Sequence, residues 1–193
     1  MLNIRAFEIG YYPIRGFLAW EEGDREAVFI DPGGWDEAIL DTLQAHGLTL
    51  AAILLTHGHD DHTGGLAQMA AHCPAPVHAH AADLPLLKVR PDVVLHGGEA
   101  IRCGTRAWQA LPVPGHTAGC LAYTADAVVF SGDTLFAGSI GGTRGLPEFE
   151  QERFSIRTQL FRLGDATRVY PAHGPATSIG IERRCNPFLR GIG

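Results

Sequence analysis

Thr56-His57-Gly58-His59-Asp60-Asp61-His62 places three imidazoles and two carboxylates in seven residues, directly behind the apolar run Ala51-Ala52-Ile53-Leu54-Leu55. An unbroken apolar run reads as a strand covered on both faces, which sets this segment in the interior of a layered fold. Neutral imidazole and carboxylate are ligands for a borderline divalent cation such as zinc, and a chain leaving a buried strand can aim several of them into one cavity. The competing reading, a polar loop that happens to be His-rich, accounts poorly for so many ligand-type side chains flanked by Gly58 and Gly64-Gly65.

Toward the N-terminus, Asn3 to Ile9 and Gly16 to Glu21 are strand-like with a break at Tyr12-Pro13, and Ala27 to Ile30 forms a short apolar strand. That strand ends in Asp31-Pro32-Gly33-Gly34, a turn cluster that redirects the backbone sharply. Trp35 to His46 reads as an amphipathic helix, with Asp36 and Glu37 in its first turn and Gly47 just past its end.

Beyond the loop, Thr63 to Ala71 reads as a helix burying Leu66, Met69 and Ala70, followed by a brief strand, Pro76 to His80. A short helix over Ala82 to Leu87 and strands at Val93 to Leu95 and Ala107 to Val113 follow. Leu121 to Thr124 and Ala127 to Ser131 form a hairpin about Asp126. Glu148 to Leu163 is the last long helix, and Arg168-Val169-Tyr170 the final strand. Strand-rich flanks with interleaved helices suit a mixed-sheet α+β sandwich better than a doubly wound parallel sheet, and the G-x-G-x-x-G dinucleotide fingerprint is missing after the first strand.

With 193 residues, the chain fits one domain, 1–193, large enough for a sizeable core. Its 46% hydrophobic and 19% charged residues are those of an ordinary soluble globular protein. A formal charge of -6 and the lack of a Lys/Arg-rich run argue against nucleic acid as a partner. No apolar run reaches the ~18 residues of a membrane span, and the N-terminus has no secretory pattern, so a cytoplasmic protein without a membrane partner is expected. Cys73, Cys103, Cys120 and Cys185 are widely spaced and read as small apolar filler rather than metal ligands or a redox pair.

Three later turns each place one ligand-type residue in a Gly-containing strand end: Pro114-Gly115-His116-Thr117, Ser131-Gly132-Asp133-Thr134 and Tyr170-Pro171-Ala172-His173-Gly174. Each is weak alone; in this order behind the His-rich loop they are specific. Together with Ile30-Asp31-Pro32-Gly33 and the tail Gly174-Pro175-x-Thr177-x-x-Gly180-x-Glu182 and Asn186-Pro187-Phe188, the chain resembles the metallo-β-lactamase superfamily, and within it the small glyoxalase II-like hydrolases.

The resemblance implies a four-layer αββα sandwich in a single domain, helices outside two central sheets, with the site at one edge. It assigns His57, His59 and His116 to one divalent metal and Asp61, His62 and His173 to a second, with Asp133 bridging both. Zinc is the leading choice, with iron or manganese as alternatives. Asp61 and Asp133 become the catalytic carboxylates. The implied reaction is hydrolysis of a small acyl-thiol, such as an S-lactoylglutathione-like thioester, by a metal-bridging hydroxide. Two carboxylate charges against two dications would draw in an anionic substrate. Asp60 has two readings, acceptor for an imidazole N–H of the site or solvated loop carboxylate.

Similarity to the superfamily leaves other reactions open: a persulfide dioxygenase using one iron at the positions of His57, His116 and Asp133, a lactonase, and a non-enzymatic metal-binding module. Two departures bear on substrate. Relatives continue S-G-D-T-L-F-A-G with G-R-x-D, whereas this chain has Ile140-Gly141-Gly142-Thr143-Arg144-Gly145, and the short tail after His173 leaves no room for the helical glutathione-gripping domain of larger glyoxalase II enzymes. Of the remaining histidines, His46 reads as a helix-end residue, His72 and His96 as surface loop residues, and His78 and His80 as a same-face pair lacking a third ligand. Trp20, Trp35 and Trp108 read as packing residues. Oligomeric state is not legible.

Overall fold

Apolar residues in successive strands alternate between two destinations, and that alternation builds the layers. In the computed structural model, which describes residues 1–10, 12 and 14–190, Phe29, Ile53 and Leu55 pack into one core while Val28, Ile30, Ala52 and Leu54 pack into another. Period-two side-chain direction thus turns a continuously apolar sequence into a two-faced interior strand. Pro13, half of the break expected between the first strands, lies outside the described residues.

The first sheet has six strands in sequence order: β1 (Leu2–Ile9), β2 (Ile14–Glu21), β3 (Glu26–Ile30), β4 (Thr49–Leu54), β5 (Val77–His80) and β6 (Val93–Leu95). Antiparallel pairing holds from β1 to β3, and parallel pairing from β3 to β6. The second sheet is formed by β7 (Ala100–Cys103), β8 (Arg106–Pro112), β9 (Leu121–Ala125), β10 (Val128–Gly132), β13 (Arg168–Pro171) and β14 (Thr177–Ser178), in the order β14-β13-β10-β9-β8-β7. Between β10 and β13 in the chain lies a separate hairpin, β11 (Leu135–Phe136) with β12 (Ser139–Ile140).

Three cores separate four layers. Ile39 and Leu43 of α1 (Glu37–His46) pack with Leu66 and Met69 against the outer face of the first sheet. Trp108, Tyr123 and Phe130 meet Phe17 and Leu54 between the sheets. Ile156, Leu160 and Ile179 cover the outer face of the second sheet with Val129 and Val169. The expected αββα sandwich is therefore present.

Several local expectations are corrected. Helix α1 begins at Glu37, because Asp36 caps it by accepting from the Ala38 N–H at 2.9 Å. The helix expected over Thr63 to Ala71 is two: α2 (Asp60–Thr63) and α3 (Leu66–His72), separated by Gly64-Gly65. A Cβ on Gly65 would overlap the backbone of Gly34, so this break is where two turns meet backbone to backbone. Ala70 is exposed rather than buried, and His72 ends α3 rather than lying in a loop, its ring stacked on Trp35 at 4.7 Å. The long helix begins earlier, as α4 (Leu146–Ser155), and passes into a π turn, Ile156–Leu160. Tyr170 is not in the last strand: β14 follows, and then α5 (Ile179–Cys185). Cys73, Cys103 and Cys120 are buried filler, but Cys185 is exposed.

Parallel pairing decides where the site forms. The C-terminal ends of β3 and β4 lie side by side, as do those of β10 and β13, and these ends deliver Asp31, the His-rich loop, Asp133 and His173. The β8–β9 connection supplies His116.

Candidate metal centre

The seven residues that the family resemblance assigns to metals arrive at one edge of the sandwich. Single ligand atoms of His57, His59 and His116 lie within 4.8 Å of one another, and so do those of Asp61, His62 and His173. A third group within the same limit, His57, His62 and Asp133, joins the two. Contacts across them are short: His59 Nδ1 is 3.0 Å from both His57 Nε2 and His116 Nε2. His173 Nε2 lies 3.6 Å from Asp61 Oδ2 and 3.7 Å from Asp133 Oδ2.

Outer hydrogen bonds set which ring nitrogen is free to bind. His116 directs Nδ1 to the Gly142 carbonyl at 2.6 Å, which fixes the proton on Nδ1 and leaves the Nε2 lone pair facing the cluster. Thr56 Oγ1 donates to Asp31 Oδ2 at 2.6 Å and so is an acceptor for His57 Nδ1 at 3.2 Å. The Asp31 carboxylate also accepts from the Thr56 N–H at 2.7 Å and meets His62 Nδ1 at 2.9 Å. Asp31, 2% exposed, therefore orients His62 directly and His57 through Thr56.

This role had been expected, as one of two readings, of Asp60. That carboxylate is 67% exposed and pairs with Lys88 Nζ at 2.7 Å, so the solvated reading holds for it. In the sequence Asp31 stands out as a turn residue and as part of the Ile30-Asp31-Pro32-Gly33 match to the family, with no role assigned; the available signal is a carboxylate at the end of a buried strand, where an unpaired charge is costly.

Inside the cluster, His62 Nε2 and Asp133 Oδ1 are buried without a hydrogen-bond partner, although only 3.3 Å apart. A ring nitrogen and a carboxylate oxygen left unsatisfied side by side in a buried space are the donor pair a divalent cation would take up in place of a proton, so these residues fit a metal site. Burial, reinforced by the neighbouring imidazoles, holds His57 well below the ordinary imidazole range. Burial also depresses His62, but Asp31 and Asp133 outweigh it and push the group up to about 10. For Asp133 burial acts upward and is overcome by His62, His173 and His116, leaving its pKa lowered. His62 of the metal-free protein thus carries a proton between two carboxylates, where a metal would otherwise supply the positive charge.

The other histidines have structural partners. His78 Nδ1 lies 3.1 Å from the Pro76 carbonyl, and His80 Nδ1 accepts from the Ala82 N–H at 3.1 Å. Beside His116, a cavity of about 250 Å³ is walled by Pro85, Leu86, Ala118 and Arg144. Arg144 therefore stands on the cleft wall, in a segment that departs from the family pattern.

Layer order and donor set together define a class: a metallohydrolase built on two sheets with its site at their shared edge. A family model of the metallo-beta-lactamase superfamily matches residues 17–173, and the chain belongs to that superfamily. It is 33% identical to hydroxyacylglutathione hydrolase GloC of Haemophilus influenzae, the match covering 97% of this chain and 98% of that protein. Among crystal structures, BLEG-1 B3 metallo-beta-lactamase is similar with a TM-score of 0.87 and 33% identity, covering 98% of this chain and 100% of the other. TTHA1623 in a di-iron-bound form is similar with a TM-score of 0.79 and 36% identity, covering 96% and 100%. No helix among the described residues is long and apolar enough to cross a membrane.

Proposed function

We propose that this protein hydrolyses a small thioester, of the S-lactoylglutathione type, at a centre of two divalent metals. His57, His59 and His116 would hold one and Asp61, His62 and His173 the other, with Asp133 between them. The observation that carries the reading is that the two triads flank one buried carboxylate. When bound, such metals supply Lewis acidity and water acidic enough to attack an acyl carbon near neutral pH. Zinc suits imidazole and carboxylate donors, and the di-iron form of TTHA1623 makes iron the second candidate.

The chain's own residues supply the rest. Asp31 holds His57 and His62 with Nε2 lone pairs inward, and the Gly142 carbonyl does the same for His116. Asp61 and Asp133 border the reaction space and are the carboxylates assigned the catalytic role. Pro85, Leu86 and Ala118 offer an apolar wall for an acyl or thiol arm, and Arg144 an attraction for an acidic one. The similar GloC supports a thioester over a lactone. Three buried free thiols suit a reducing compartment, in keeping with a cytoplasmic location.

The test is thiol release from a panel of glutathione and simple acyl thioesters by protein loaded with zinc or iron. Release from at least one, absent in metal-free protein, is expected. Two bound metals with no thiol release from any member would contradict the proposal, and one bound iron with oxygen uptake on a persulfide would favour the dioxygenase reading.

A further inference from the structure

Asp83 lies outside every motif quoted above, yet it touches both loops that carry the first triad. It sits in a 3-10 turn, Ala81–Leu86, that follows β5. Its carboxylate is 2% exposed and fully engaged. Oδ2 accepts the Gly58 N–H at 2.9 Å and the Thr117 hydroxyl at 2.8 Å, and Oδ1 accepts the Gly119 N–H at 2.8 Å.

Gly58 lies between His57 and His59, while Thr117 follows His116. One loop leaves the first sheet and the other belongs to the second. At their bases the loops are joined by the Leu121 N–H donating to the Thr56 carbonyl at 2.8 Å; at their tips the connection is Asp83. Elsewhere the sheets meet through apolar packing, which is non-directional, and through bonds away from these loop tips, such as Tyr123 Oη to the Leu55 carbonyl and the Arg15 N–H to the Ala172 carbonyl, both at 2.9 Å.

Sequence around the contact is shaped for it. A Cβ on Gly119 would crowd Asp83 Oδ1 at 2.5 Å, and a Cβ on Gly58 would crowd Leu86 at 2.8 Å. Thr117 Oγ1 also lies 3.1 Å from Cys120 Sγ; since its single proton goes to Asp83, it accepts there from the thiol. Bonds to an ionised acceptor are about twice as strong as neutral ones, and one carboxylate here orders three donors.

We propose that Asp83 is a positioning residue that clamps the His57-Gly58-His59 loop to the His116-Thr117 loop, so that three imidazoles converge on one metal. The clamp rests on the reading of those histidines as ligands. It touches no reacting atom and acts only through the loops. Its loss therefore weakens the metal held by His57, His59 and His116 more than the one held by Asp61, His62 and His173.

The test is competition titration of Zn²⁺ and Co²⁺ against a chromophoric chelator, with the cobalt absorption spectrum recorded on protein shown by circular dichroism to be folded. Wild type is compared with Asp83→Ala, Asp83→Asn, which retains one acceptor oxygen, and Thr117→Ala, which removes one donor. Leu48→Ala, a core truncation just before β4, at the end of that strand opposite the His-rich loop, serves as a comparator of lowered stability. Asp83→Ala is expected to lose about 10- to 100-fold in affinity for one metal equivalent. Its cobalt spectrum should change, Asp83→Asn should fall between it and wild type, and Leu48→Ala should keep both affinities. Should Asp83→Ala not fold, the asparagine and Thr117 variants carry the same comparison. Wild-type affinities and spectrum in the Asp83 and Thr117 variants would overturn the clamp, as would a loss of both metals that merely tracks melting temperature. Wild-type protein that takes up no metal would overturn the ligand reading itself, and the clamp with it.

Discussion

Asp31 reaches two imidazoles from a single buried position, one directly and one through Thr56. Removing it leaves His62 without its Nδ1 acceptor and frees Thr56 Oγ1 to donate elsewhere. Asp31→Ala is therefore expected to weaken metal binding by about 10- to 100-fold, read by chelator competition. Unchanged affinity would show that the rings are held by packing alone. Glu152 is the second residue whose environment outweighs its type. It is fully buried behind the His116 loop, and neither carboxylate oxygen has a hydrogen-bond partner of good geometry, the nearby Gly141 N–H donating instead to the Thr134 carbonyl at 3.3 Å. Burial raises its pKa to about 8, with the Gly141 N–H opposing and Asp133 reinforcing. A carboxyl raised on folding contributes stability below its unfolded value of 4.5, and that contribution is lost as pH rises through about 8. Glu152→Gln should thus raise the melting temperature of the metal-free protein at about pH 9 by several degrees, about 3–6 °C, and by less at about pH 5. A gain independent of pH would contradict this. The candidate ligands were legible because imidazoles and carboxylates crowd into strand-end turns. Asp31, Asp83 and Glu152 were not, because what a carboxylate hydrogen-bonds is decided by tertiary approach and not by its neighbours in the chain.

Turns carry as much of the site as strands do. The Asp31-Pro32-Gly33-Gly34 turn lies against the His-rich loop so closely that a Cβ on Gly33 would overlap the Asp61 carbonyl oxygen. Gly33→Ala should therefore destabilise the fold by about 1–3 kcal/mol, visible in chemical denaturation, as forced overpacking does elsewhere. A neutral effect would mean that the loop yields freely. The tail has a comparable task. Glu182 on α5 accepts from Thr177 Oγ1 at 2.6 Å, the Gly138 N–H at 2.9 Å and Asn186 Nδ2 at 2.9 Å, and Asn186 Nδ2 also donates to the Ser139 carbonyl at 2.9 Å. These bonds pin the β11–β12 hairpin that follows Asp133, which explains the residues through which the tail resembles its family. Long apolar strands and the hairpin about Asp126, where φ is 49°, were legible from pattern and turn chemistry. Short edge elements escaped for lack of length: β7 offers only Ile101 and Cys103 as buried positions, and β14 is two residues long.

At the scale of the molecule, the candidate site joins the ends of strands from both sheets, so metal uptake is coupled to the stability of the whole sandwich. His62 sets the sign of its pH dependence. In the metal-free protein its pKa is raised to about 10, so its stabilising charge is complete below 6.5 and lost as pH rises through about 10. Metal must displace that proton, and binding tightens over the same range. The melting-temperature gap between metal-loaded and metal-free protein should accordingly widen from about pH 6 to about pH 9. Four layers were legible in advance through the family resemblance; the residue pattern by itself reached a mixed-sheet sandwich, with Ala51–Leu55 as a strand covered on both faces. The central claim is two metals about one carboxylate, and titration of metal-free protein with Zn²⁺, wild type beside Asp133→Ala, tests it most directly. Two equivalents bound by wild type and neither held tightly by the variant is the expected result; a single equivalent in wild type, or two in Asp133→Ala, would contradict it.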